Sequence, residues 1–165
     1  MVHRHRDVQG GTARAAVFGV SDGLVSNVAL ILGIAGAGTD PSFVRLAGIS
    51  GLLAGAISMA AGEFVSLKAQ AELVERELEI ERISIAENPE AEQAELSAIY
   101  VARGLDPEDA DRVAAALMSD PEIALEVHAR EELGVDPNQL GNPGAAAVAS
   151  FLAFAVGAFV PLVPW

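Results

Sequence analysis

The chain has 165 residues, enough for one ordinary domain, and no cysteine, which excludes a disulfide scaffold and any thiolate metal site. Its formal net charge of −13 argues against nucleic acid as a partner, because phosphate binding needs basic patches. Yet the chain is 52% hydrophobic with a mean hydropathy of +0.37, and its acids are gathered in one place: 19 of the 23 Asp and Glu, against 6 of the 10 Lys and Arg, lie between Lys68 and Asp136, so that segment carries the whole net charge.

The first apolar segment, Ala13–Gly38, holds one charge after Arg14, namely Asp22. It is long enough to cross a hydrocarbon core of about 30 Å. A signal peptide fits it poorly, because no compact cleavage site precedes a secreted domain and two further spans follow. After the connection "GAGTDPSFVR" comes Ala47–Leu67, with Glu63 its only charge. The stretch Gly51–Arg82, "GLLAGAISMAAGEFVSLKAQAELVERELEIER", contains no proline and is predicted as one continuous helix, apolar at its start and acidic at its end. Ser21, Asp22, Ser26 and Asn27 are the polar groups of the first span, and Met59 and Glu63 share a face of the second at i,i+4 spacing. A carboxylate at the bilayer centre costs about 2.5–3.5 kcal/mol on insertion scales, so it usually faces a pathway or a partner. Glu63 has a second reading, a side chain snorkelling to the interface. Carboxylate with thioether suits a borderline divalent metal.

The acidic segment reads as helices. Starts fall at Asn88–Pro89, Asp106–Pro107 and Asp120–Pro121, and stops at Gly104 and Gly134, because Asn or Asp caps orphan amides, Pro fits the first helical position and Gly ends a helix. Glu72, Glu75 and Glu79 share a face, as do Glu77 and Glu81; Glu92 and Glu95 are i,i+3; Glu126, His128, Glu131 and Glu132 crowd the last helix. Repeated carboxylates and a His on facing helices are how di-metal carboxylate sites are built, but no full Glu-x-x-His pair occurs, and a solvated acidic surface is the stronger reading of the residues alone.

Pro143–Trp165 is uncharged and is the clearest span. The fold class is therefore all-α: integral membrane helices with an inserted cytoplasmic helical metal-binding domain, divided as 1–67 (tail and spans 1–2), 68–136 (acidic domain) and 137–165 (linker and span 3). Arg4, Arg6 and Arg14 precede the first span, Lys68, Arg76 and Arg82 follow the second, and the loop between carries only Arg45. Positive residues stay inside, so the N-terminus and acidic domain are expected in the cytoplasm, with the plasma membrane the site in a prokaryote. The dense Gly and Ala of the spans serve either packing within one chain or a homodimer interface. No nucleophile–base pair and no Gly-rich phosphate loop points to an enzyme.

The stretches "FGVSDGLVSNVALILGIAGAG", "GLLAGAISMAAGEFVSLKAQ" and "ELGVDP…NPGAAAVASFLAFAVGAFVPLVPW" resemble the vacuolar iron transporter family over nearly the whole chain. The resemblance implies a homodimeric, proton-coupled exporter of Fe²⁺ or Mn²⁺ from the cytoplasm, with five spans per subunit and a cytoplasmic metal-binding domain after the second. This chain is then read as stopping after the third span. Carried over by position, Asp22 and Met59 belong to the transport path, and Glu63, in the matching "GE" motif, is read as lining that path with them. Glu81, Glu92, Glu95 and Glu132 match the family's metal-binding glutamates, and His128 stands where plant-like members have methionine; Zn²⁺ is a further candidate at that site. Gly51 and Ser84 replace family glutamates. Metal gathered by the glutamates could pass to the membrane path along the same helix. Two other functions remain open: a membrane-anchored metal buffer without transport, and an acidic interaction module.

Overall fold

The computed structural model describes residues 11–137 and 141–165, so Arg4 and Arg6 lie outside the described residues. Among the described residues there are six α-helices and no strand: α1 (Gly11–Gly36), α2 (Pro41–Glu87), α3 (Pro89–Ala102), α4 (Pro107–Met118), α5 (Pro121–Glu131) and α6 (Pro143–Phe159), the last followed by a 3₁₀ turn, Val160–Leu162. The all-helical class holds. The chain forms two compact units, one of the described residues up to Lys68 with Asn142–Trp165, the other of Ala69–Gly141.

In the first unit α1, the apolar part of α2, and α6 with its 3₁₀ turn are long and apolar enough to cross a membrane. The connection between α1 and α2 is shorter than the predicted "GAGTDPSFVR", because α2 already begins at Pro41. The Asp40 carboxylate accepts from the Ser42 N–H at 2.8 Å, so Asp40–Pro41 is a helix start of the same kind as Asp106–Pro107 and Asp120–Pro121. Pro161 lacks an N–H donor, and α6 gives way there to the 3₁₀ turn. No more than 28% of the most apolar window of any span is buried, and Val17, Val25, Leu32, Leu46, Val148 and Val156 are exposed, as faces toward lipid would be.

Lipid gives helices no hydrophobic drive to associate, so close packing must hold them. α1 lies against α6 where glycines remove side chains. A Cβ on Gly23 would strike the backbone of Phe154 and Ala158, and one on Gly157 the carbonyl of Val20. Ala56 of α2 packs with Phe154 and Ala158 in the core of the unit, flanked by Leu52, Met59, Phe151 and Ala155. Gly157→Val should therefore destabilise the unit by about 1–3 kcal/mol, the usual cost of overpacking. Gly33→Ala, where an added Cβ meets nothing within 4 Å, should not lower the melting temperature in detergent.

The second unit uses the capping chemistry of its sequence. Asp106 accepts from the Glu108 N–H at 3.1 Å, and Asp120 from those of Glu122 and Ile123 at 2.9 and 3.4 Å. Asn88 departs from expectation: its side chain makes no capping bond. The chain reaches it directly from α2, which runs to Glu87, and its carbonyl instead accepts from the N–H groups of Ala91 and Glu92. At the end of α3, Gly104 adopts φ +100°, its N–H bonds the Val101 carbonyl and the Leu105 N–H that of Tyr100, the double closure that a left-handed glycine permits. α3 packs on α4 and α5, around Leu96, Ala110, Ala114, Leu125 and Ala129. α2 is uninterrupted as predicted, its residues from Ala69 onward belonging to this unit.

Candidate metal centre

Within the second unit, Glu81 of α2, Glu92 of α3, His128 of α5 and Glu132 at the end of α5 each offer one ligand atom, and these atoms lie within 4.8 Å of one another. His128 is wholly buried, and Glu92 is 8% exposed. The His128 Nδ1–H donates to Glu132 Oε1 at 2.6 Å, and the same nitrogen lies 3.2 Å from Glu81 and 3.9 Å from Glu92. The contact to Glu81 is close but not aligned for hydrogen bonding, so Glu81 Oε1 is buried without such a partner, as is His128 Nε2.

Why these carboxylates and not their neighbours is a matter of partners. Glu79 pairs with Arg82, Glu126 with Arg130 at 2.6 Å, Glu131 with Arg103 and Asp109 with Arg112. Among the described residues, the ion pairs of Glu81, Glu92 and Glu132 are all with the one imidazole, His128. Three carboxylates around one imidazole keep a net negative charge even when the ring is protonated. Burial pushes the Glu81 carboxyl above its ordinary value of 4.5, and the nearby Glu132 charge adds to the effect; His128 opposes it, while Glu92 and Glu95 push the same way. Glu81 lies well beyond the apolar stretch of α2.

The donor set, three carboxylate oxygens and one imidazole nitrogen, suits Mn²⁺, Fe²⁺ or Zn²⁺. A buried acceptor left without a hydrogen bond is what a cation at this point would satisfy. Metal–ligand bonds of about 2.0–2.2 Å require ligand atoms roughly 3 Å or more apart, so a bound ion would displace the Nδ1 proton and part the 2.6 Å pair of His128 and Glu132. Without metal, Glu81 is a liability whose sign follows from its pKa. With the folded value raised, its contribution to stability is fully present below about pH 4.5 and is lost as pH rises through the raised value. With a chelator present, hydrogen-exchange protection of α5 in the full chain, corrected for intrinsic rates, should fall as pH climbs through that window. Added divalent metal should restore it at neutral pH.

Of the five residues read from sequence as ligands, Glu81, Glu92, His128 and Glu132 come together, and Glu95 stands outside the set, acting on Glu81 through its charge. The signal for the His128–Glu132 pair is its i,i+4 spacing, which the Glu-x-x-His pattern does not contain.

The first unit contains a cavity of about 330 Å³ whose lining includes Asp22, Ser26, Asn27, Ser58, Met59 and Phe154. Ser26 Oγ donates to Asp22 Oδ1 at 2.7 Å. Asp22 and Met59 therefore share one space, whereas Glu63, half-buried on α2, does not line it. Asn27 was visible in the sequence as a polar group in a span, but nothing in its spacing singled it out.

The profile of the VIT family matches residues 13–165. The chain belongs to the VIT family. It is similar to a vacuolar iron transporter of Acanthamoeba castellanii, 38% identical over 162 residues that cover 97% of this chain and 58% of that protein. It is also similar to vacuolar iron transporter 1 of Arabidopsis thaliana, 35% identical over 94% of this chain and 62% of the relative, and to vacuolar iron transporter 1 of Eucalyptus grandis, 33% identical over 100% and 68%. This VIT family chain spans about three fifths of the length of the first of these curated relatives. Family membership and three apolar helices make it an integral membrane protein.

Proposed function

We propose that this VIT family protein transports a divalent metal, Fe²⁺ or Mn²⁺, out of the cytoplasm in exchange for protons. The observation that carries the reading is the convergence of Glu81, Glu92, His128 and Glu132 in a chain similar to vacuolar iron transporters. In this reading the ion is first held by those four residues, with Glu95 lending charge, and then enters the membrane path at Asp22 and Met59. Glu63 belongs to the approach to that path. The N-terminus and the acidic unit face the cytoplasm, two copies assemble as a homodimer, and Zn²⁺ competes at the acidic centre.

Proteoliposomes holding a pH-sensitive dye test it. Addition of Fe²⁺ or Mn²⁺ should produce a metal-dependent proton flux that Asp22→Asn abolishes. Metal binding without flux would instead favour a membrane-anchored buffer, and absence of binding would leave an acidic interaction module.

A further inference from the structure

The cavity of the membrane unit holds a polar group with no assigned task. Asn27 is 2% exposed, and its Nδ2 donates to the Ala158 carbonyl of α6 at 2.6 Å. That bond fixes the amide, because exchanging its nitrogen and oxygen would set two oxygens against each other. The Oδ1 end is buried and has no hydrogen-bond partner, yet Asn27 lines the cavity with Asp22 and Met59. α2 passes close to it at Gly51. A Cβ on Gly51 would stand 2.8 Å from Asn27 Oδ1 and 2.6 Å from Leu30 Cδ2, so any side chain there would crowd the oxygen. α1 and α2 are joined by a short connection and run antiparallel, so Asn27 is level with Gly51, and both Asp22 and Met59 lie further from that connection.

We propose that Asn27 is a cation-binding residue of this cavity, its amide oxygen coordinating a divalent ion beside Gly51, beyond Asp22 and Met59. The inference rests on the reading of the cavity as a cation path. It gives the ion a neutral oxygen after a charged one, and an ion must be able to leave each station as well as reach it. An amide oxygen fixed in advance loses no orientation when the ion arrives.

The test is anaerobic equilibrium dialysis of Fe²⁺ against the full chain in detergent, with the acidic centre silenced by Glu92→Gln and Glu132→Gln. Residual binding that Asp22→Asn removes identifies the cavity. Asn27→Leu keeps the branching of the side chain and loses both the oxygen and the bond to Ala158. Gly51→Ala keeps the Asn27 amide and presses a methyl against its oxygen. Each should weaken the residual binding about tenfold, the cost of one lost ligand interaction, while Gly33→Ala does not. Binding that depends on Asp22 but is unchanged by Asn27→Leu overturns the inference and leaves the cavity reading standing. Loss in Asn27→Leu without loss in Gly51→Ala makes the amide a strut to α6 and overturns it too. If no residual binding depends on Asp22, the cavity reading fails and the inference falls with it.

Discussion

Replacing Glu92 and Glu132 together by glutamine is expected to abolish divalent-metal binding at the acidic centre. Gln keeps the size and helix propensity of Glu and removes the charge. Two ligands lost at a few kcal/mol each lower affinity by about 100-fold or more. The same change at Glu108 and Glu122, exposed acids in the first turns of α4 and α5, should leave the affinity within about twofold, the difference between a ligand and a screened surface charge. Glu95→Gln should fall between, because Glu95 acts on the centre by charge and not by position. Titration calorimetry of the full chain with Mn²⁺ measures all three. Equal losses from both double variants would make the acidic segment a diffuse polyanion.

The second large effect is on stability. Without a cation, the centre holds three carboxylates near one imidazole, one of them with a buried oxygen that lacks a hydrogen bond. A metal that binds only the folded unit stabilises it by about 2.7 kcal/mol at a free concentration of 100 times Kd. The unfolding midpoint of the acidic unit should therefore rise with Mn²⁺ at pH 7. The rise should shrink as pH falls, because protons compete for the same ligands. The Glu92→Gln, Glu132→Gln double variant should show no metal-dependent rise. A rise of equal size in that variant would place the stabilising ion elsewhere.

Much of the architecture was legible because local chemistry decides it. Asp106–Pro107 and Asp120–Pro121 mark helix starts through side-chain caps that the structure contains, and Gly104 marks a stop through a φ that other residues rarely adopt. The uninterrupted α2 followed from the absence of proline after Pro41. Asn88 shows the limit of that reasoning, since a cap residue needs a side-chain rotamer as well as a position, and there the backbone carbonyl makes the local bonds.

The site was legible by residue type but not by selection. Glu126 and Glu131 are as acidic in sequence as Glu132, yet Arg130 and Arg103 hold them. The Glu126–Arg130 pair is an i,i+4 spacing that the sequence carries, but only the three-dimensional placement of Arg103 separates Glu131 from the acids that face His128. Asn27 illustrates the same limit in the membrane unit, where its significance depends on a carbonyl 131 positions away.

The central claim is that one divalent ion sits among Glu81, Glu92, His128 and Glu132. Anomalous diffraction from crystals of the full chain grown with Mn²⁺, recorded near the Mn edge, locates the ion directly. A single strong peak in the acidic unit, about 2.0–2.2 Å from His128 Nδ1 and from oxygens of these glutamates, is the expected result. Peaks scattered over exposed acids such as Glu108 and Glu122, with none at His128, would contradict it.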